Sequence, residues 1–213
     1  MRIAVIGSGT SAIGFLYHLL KTHPEYEVDI FERGLEPARR AAEGESILYG
    51  FGGAGTFSDG KLSLSPQIGG EVADYIGYES FKKYLPECLE LWTLGFDRKA
   101  LERSDLSEGP RVWDIKRAFN ENRMDLTLGE FIHVGTDNLA TVIQRLYSLL
   151  SSHKSFHFHF STPIKDYSHA DTAVIDETGR SYGPYDQVIL AVGRSGSVLL
   201  NRILELSGAD FTS

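Results

Sequence analysis

Between Gly50 and Leu62 the sequence reads Gly-Phe-Gly-Gly-Ala-Gly-Thr-Phe-Ser-Asp-Gly-Lys-Leu, five glycines in thirteen residues, with hydroxyls, a carboxylate and a lysine among them. Such a stretch builds no packed core; it brings bare backbone N–H groups close to a ligand. A second glycine cluster lies at the N-terminus, Gly7-Ser-Gly-Thr-Ser-Ala12, and fits the pattern G-x-G-x-x-A. Gly7 permits a tight turn, Gly9 lets the backbone approach a pyrophosphate, and Ala12 is small enough for a helix to pack on a strand. Glu32 stands twenty residues after Ala12, where a carboxylate accepts hydrogen bonds from ribose hydroxyls. One glycine run alone is a weak sign of a phosphate loop. Two runs, separated by a strand and an acid, predict one long ligand lying across both.

The elements that must hold these groups follow from the apolar pattern. Residues 2–6 read as a short buried strand, and residues 10–22 as a helix with Ala12, Ile13, Leu16, Leu19 and Leu20 on one face. His23-Pro24 stops that helix, because the residue before proline avoids the helical region. Residues 28–31 are a second strand ending at Glu32-Arg33-Gly34, so the chain opens β-α-β, the start of a parallel sheet. A charged helix is expected over 36–44. Residues 70–130 mix aromatic and charged residues and hold both tryptophans; they read as an inserted cap or subdomain with a helix over 81–94. Residues 138–150 form an amphipathic helix, with Thr136 or Asp137 as its cap. Phe156-His-Phe-His-Phe160 alternates strictly, a strand with phenylalanines on one face. Residues 172–175 and 187–191 flank a turn sequence and read as a hairpin or meander. The expected architecture is an α/β, Rossmann-like dinucleotide-binding parallel sheet with a β-meander and a small, mainly helical insertion. Its expected divisions are 1–69, 70–130 and 131–213.

Glu32 repels a 2′-phosphate and so disfavours NADP, while FAD and NAD both present a free adenosine ribose. The second glycine run separates those two. Phe51 and Phe57 need apolar contacts, and a loop of Gly52, Gly53, Ala54, Gly55, Thr56, Ser58, Asp59, Gly60 and Lys61 could wrap a pyrophosphate and ribityl chain and reach an isoalloxazine. A lysine there would stabilise an anionic reduced flavin. The plain alternative is a flexible surface loop with an exposed lysine.

Val-Ile-Gly-Ser-Gly-Thr-Ser-Ala (5–12), Phe-Glu-Arg-Gly (31–34), the run 50–62, His-Val-Gly-Thr-Asp-Asn-Leu (133–139) and Val-Ile-Leu-Ala-Val-Gly-Arg-Ser (188–195) occur in this order. Together they resemble a family of uncharacterised FAD-dependent dehydrogenases, NAD(P)/FAD-dependent oxidoreductases of the two-dinucleotide-binding-domain superfamily. The resemblance spans nearly the whole chain, and its most specific part is 50–62. It implies that Gly7, Gly9, Thr10, Ser11 and Ala12 take the pyrophosphate, Glu32 and Arg33 the adenosine end, and the 50–62 loop the flavin side. Ala191 and Gly193 fall in a second fingerprint, with Val192 in place of threonine. Members of that family continue past this fingerprint into a substrate region and return with a Gly-Asp segment. The sequence ends at Ser213 without such a segment, so the expectation is an FAD-dependent oxidoreductase or the N-terminal FAD-binding portion of one. The alternative is a non-catalytic or split module needing a partner chain.

Composition narrows the rest. The net charge is −8, from 21 basic and 29 acidic residues, which argues against a nucleic-acid partner. No apolar run nears the roughly 20 residues that span a bilayer, and Cys88 is the single cysteine, so a cytoplasmic protein with no internal disulfide is expected. His153, His157 and His159 lack a carboxylate at ligand spacing, and no metal site is expected. Ser8, Ser58 and Ser63 have no histidine or acid at triad spacing. No histidine or tyrosine stands out as an acid or base, so no catalytic residue is assigned and the small-molecule substrate is open.

Overall fold

In the computed structural model, which describes every residue except 44–46, 69, 98, 100, 106–109 and 208–213, the opening β-α-β forms as the periodicity predicts. Strand β1 (Arg2–Ile6) leads through α1 (Thr10–Thr22) to β2 (Glu27–Phe31) and then α2 (Pro37–Glu43). A 3-10 turn (Ala54–Phe57) precedes β3 (Lys61–Ser63), α3 (Val72–Ile76), α4 (Tyr78–Trp92), β4 (Glu102–Asp105), α5 (Pro110–Glu121) and β5 (Glu130–His133). The chain continues through α6 (Thr136–Ser151), β6 (Phe156–His159), β7 (Ile164–Ser168), β8 (Ala173–Asp176), β9 (Ser181–Tyr182), β10 (Gln187–Leu190) and α7 (Ser197–Ser207). None of the helices among the described residues is long and apolar enough to cross a membrane.

The chain divides into two compact units, 1–57 with 143–213, and 58–142. The cuts fall inside the second glycine run and inside α6.

The first unit carries a parallel sheet in the order β10-β1-β2-β6. Successive side chains point to opposite faces. On one face Ala4, Ile6 and Phe31 pack with Ile164, Val174 and Tyr185, the inner residues of the antiparallel meander β7-β8-β9 and its exit. On the other face Ile3, Val5, Val28 and Ile30 are all nearly inaccessible, and α1 buries Ala12, Ile13, Leu16, Tyr17 and Leu19. Register sets Phe158 beside Ile30, so the phenylalanines of β6 share this second face. There Phe158 meets Tyr147 of α6 and Phe51 of the glycine run, ring centroids 5.6 and 5.9 Å away. His157 and His159 take the opposite face, and each pairs with a carboxylate of β2: His157 with Glu27 at 3.0 Å, His159 with Asp29 at 2.8 Å. Among the described residues no cluster of His, Cys, Asp and Glu could hold a metal.

The expected pairing of 172–175 with 187–191 does not form. β8 pairs with the two-residue β9, while β10 joins the parallel sheet beside β1, in register from Ile3–Gln187 to Ile6–Leu190. The reason lies in side-chain pattern: Gln-Val-Ile-Leu does not alternate, and a continuous apolar run suits a sheet covered on both faces.

The second unit holds α3, α4, α5 and an antiparallel sheet in the order β3-β5-β4. Its strands are three or four residues long, too short to show a period-2 signal, which is why the insertion reads as mainly helical in sequence. α4 begins three residues earlier than its apolar spacing suggests and buries only Leu91.

Candidate functional site

Gly7 ends β1 with φ +97°, a conformation that L side chains rarely adopt. Its N–H donates to the Phe31 carbonyl at 2.8 Å, which fixes the turn against β2. A Cβ here would lie 2.4 Å from the Ala191 carbonyl oxygen. The close approach thus puts the first glycine motif directly beside the second fingerprint, Ala191 and Gly193.

Gly9 caps α1 with extended backbone, and no side chain closes the helix end. The first N–H groups of such a helix have no intrahelical acceptor, and the dipole adds positive potential there. Thr10 and Ser11 are exposed, while Ala12 is fully buried against the sheet.

The second glycine run folds back onto this helix end. Gly52 donates to the Ser8 carbonyl at 2.9 Å. A Cβ on Gly53, itself at φ +68°, would stand 3.4 Å from the Gly9 Cα and 4.0 Å from the Thr10 nitrogen. A Cβ on Gly55 would touch the Thr10 methyl. Ala54 and Gly55, exposed, begin the 3-10 turn. Two glycine-rich backbone segments therefore converge, one from each glycine motif, with no side chain of Gly9, Gly53 or Gly55 between them, while the N–H groups of Gly52, Gly53 and Thr56 are held by the Ser8, Gly50 and Gly53 carbonyls.

Glu32 is 5% exposed, and both its carboxylate oxygens are engaged. Oε2 accepts from the Ser8 backbone and hydroxyl, each at 2.8 Å, and Oε1 accepts from Gly34 at 2.8 Å and Gly50 at 3.0 Å. A carboxylate offers about four lone-pair sites. Glu32 is thus the knot that joins the first turn, the end of β2 and the start of the second glycine run. Arg33 is exposed and lays its guanidinium over the Tyr49 ring at 4.2 Å.

Arg40 of α2 was invisible to motif reading, since it sits in a charged stretch that resembles a solvated helix face. It is 1% exposed. Its guanidinium donates to the carbonyls of Ile47, Phe51 and Gly53 and to the Thr56 hydroxyl. Burial pushes its pKa below the usual guanidinium value, and the Glu32 carboxylate opposes that shift. Ser8 is fully buried, and its hydroxyl donates to Glu32.

The remaining loop residues belong to the second unit. Gly60, at φ +69°, lies against the Gly135 backbone, and its carbonyl accepts from Val134 at 3.0 Å. Ser58 Oγ accepts from the Gly60 N–H at 3.2 Å. Asp59 and Lys61 form an exposed ion pair at 2.8 Å. The hydrogen bond and charge of Asp59 raise the lysine pKa, and the same lysine lowers that of Asp59.

No protein-family model matches the chain, and no curated protein is similar to it in sequence. Solved structures do share its fold. A glycine oxidase from Geobacillus kaustophilus superposes with a TM-score of 0.53 at 15% identity, covering 94% of this chain and 58% of the oxidase. A 3-ketosteroid-Δ4-(5α)-dehydrogenase from Rhodococcus jostii superposes with a TM-score of 0.54 at 12% identity, covering 88% of this chain and 44% of the dehydrogenase. The chain spans about half the length of these two proteins.

Proposed function

We propose that the chain is the FAD-binding portion of a flavin-dependent oxidoreductase. The observation that carries this reading is the convergence of Gly53 and Gly55 on the uncapped start of α1. Two glycine-rich backbone segments meet with no Cβ in the way, and a helix N-terminus of this kind suits a pyrophosphate. The donor chemistry therefore fits the dinucleotide. Both similar structures are oxidoreductases by name, an oxidase and a dehydrogenase.

In this reading Gly7, Gly9, Thr10, Ser11 and Ala12 bring the backbone to the pyrophosphate, joined by Gly52, Gly53, Ala54, Gly55 and Thr56. Ala191 and Gly193 flank the same turn. Glu32 takes an adenosine ribose hydroxyl in exchange for the Ser8 hydroxyl, the one donor of its four that can rotate away without moving the backbone. Arg33 lies beside it for the adenine end. FAD would supply an acceptor for a hydride or electron pair from a small-molecule donor.

NAD at the first motif alone leaves the folding of 50–57 onto α1 without a purpose. A second reading, a module completed by another chain or segment, is favoured by β10. This strand lies at the edge of the parallel sheet, and Val188, Ile189 and Leu190 are half-exposed although their sequence suits a strand covered on both faces.

The test is to purify the chain, record its visible absorption, and titrate it with FAD and with NADH. Yellow protein, or flavin fluorescence that is quenched on titration, is the expected result. A colourless protein whose spectrum and fluorescence do not respond to FAD refutes flavin binding by this chain. Flavin that binds but is not bleached by NADH or NADPH favours the incomplete module.

A further inference from the structure

The second glycine run is held from two sides by buried charges. On one side the Glu32 carboxylate accepts the Gly50 N–H at 3.0 Å. On the other the Arg40 guanidinium donates to the carbonyls of Phe51 and Gly53, the latter at 3.2 Å, and to Ile47 at 3.2 Å. Thr56 completes this side, accepting from Arg40 at 3.2 Å and donating to the Gly53 carbonyl at 3.0 Å. Phe57 closes over the guanidinium at 4.9 Å. A peptide unit is planar and trans, so its C=O and the next N–H point in opposite directions. A Gly53 carbonyl turned toward Arg40 therefore turns the Ala54 N–H away from it. Ala54 is exposed, and Gly53 beside it touches the open end of α1.

We infer that Arg40 is a positioning residue: its buried guanidinium gathers the carbonyls of Ile47, Phe51 and Gly53 so that the Ala54 N–H at the start of the 3-10 turn faces the ligand. The ligand part of this inference rests on the dinucleotide reading above; the ordering of the loop does not. Four acceptors on one rigid planar fork fix more of the backbone than the glycines could fix by themselves, since glycine loses more conformational freedom on ordering than any other residue. The loop is then preset before any ligand arrives, which lowers the ordering cost of binding.

The test uses Arg40→Lys, which keeps the charge and loses the fork, and Thr56→Val, which keeps the shape and loses the hydroxyl. Two measurements are made on each: amide hydrogen exchange of the ligand-free chain, and FAD affinity by quenching of flavin fluorescence. Arg40→Lys should speed exchange at Gly52, Gly53 and Thr56 while β1 and β2 keep their protection. It should also weaken FAD binding about tenfold or more, the equivalent of one hydrogen bond to a charged group. Thr56→Val should act in the same direction with a smaller effect. A variant that lowers the urea midpoint yet leaves loop exchange unchanged makes Arg40 merely structural and overturns the inference. Faster loop exchange with unchanged FAD affinity overturns its link to the ligand. If the wild-type chain binds no FAD, the dinucleotide reading fails, and the exchange data alone still decide whether Arg40 orders the loop.

Discussion

Gly7 and Gly9 lie two residues apart in one motif, yet the structure assigns them different tasks, and replacing each with alanine separates these. Gly7→Ala places a Cβ 2.4 Å from the Ala191 carbonyl oxygen and 2.9 Å from its carbon. Ordinary contact begins at 3.4 Å, so one strand must retreat by about 1 Å. Ala191 is tied to β1 by its N–H, which donates to the Ile6 carbonyl at 2.9 Å, and retreat sacrifices that bond at about 1 kcal/mol. The backbone at φ +97° adds about 1–2 kcal/mol for any L side chain. Together Gly7→Ala should lose about 2–3 kcal/mol, a large part of the 5–15 kcal/mol typical of a folded domain. At a slope of about 1–3 kcal/mol per molar, the urea midpoint should fall by about 0.7–3 M with the slope unchanged. Gly9→Ala meets nothing within 4 Å and has an ordinary extended backbone. Its stability should stay within about 1 kcal/mol of wild type, the difference between glycine and alanine as a cap. FAD affinity should fall nonetheless, because the new methyl stands at the open helix end. A Gly7→Ala protein with the wild-type midpoint, or a Gly9→Ala protein that unfolds as early as Gly7→Ala, refutes this division of labour.

Two further outcomes are expected. Burial pushes the Asp29 carboxyl up, but hydrogen bonds from His159 and Tyr185, the His159 charge and the Arg2 bond outweigh it and hold the group below its usual value. A carboxylate depressed on folding contributes stability above its unfolded pKa and loses it as pH falls through the folded value. The stability gap between wild type and Asp29→Asn, measured by urea unfolding, should therefore shrink as the pH falls below about 5. A gap that widens on acidification contradicts the assignment. Phe51 is fully buried between Tyr147 and Phe158. Phe51→Ala should cost about 3–5 kcal/mol in a thermal or urea melt, and a loss under about 1 kcal/mol would show that the loop is not anchored there.

The sheet was legible where local pattern and global fold agree. Ile3–Ile6 is a continuous apolar run ended by Gly7, Val28–Phe31 is an apolar stretch broken only by Asp29, and α1 carries a clear helical stripe closed by His23-Pro24, so local pattern places each. The pairing of β10 was not legible, because a run of four apolar residues fits a hairpin and a buried strand equally; only its contact with β1 decides. The three short strands of the second unit and the two-residue β9 carry no periodicity at all. Arg40 was hidden for another reason: a lone basic residue in a charged helix is usually solvated, and nothing local distinguishes the one whose side chain turns inward.

The sequence by itself determined that two glycine motifs, a small residue at 12 and an acid at 32 occur at spacings that suit a dinucleotide. These are properties of short segments, set by backbone freedom and by helix and strand period. Tertiary structure alone decided that Gly53 touches the start of α1, that Glu32 accepts four hydrogen bonds from three segments, and that Arg40 collects the carbonyls of the second glycine run. Each of these joins residues distant in sequence, and the pairing follows from burying polar groups that must find partners once water is excluded.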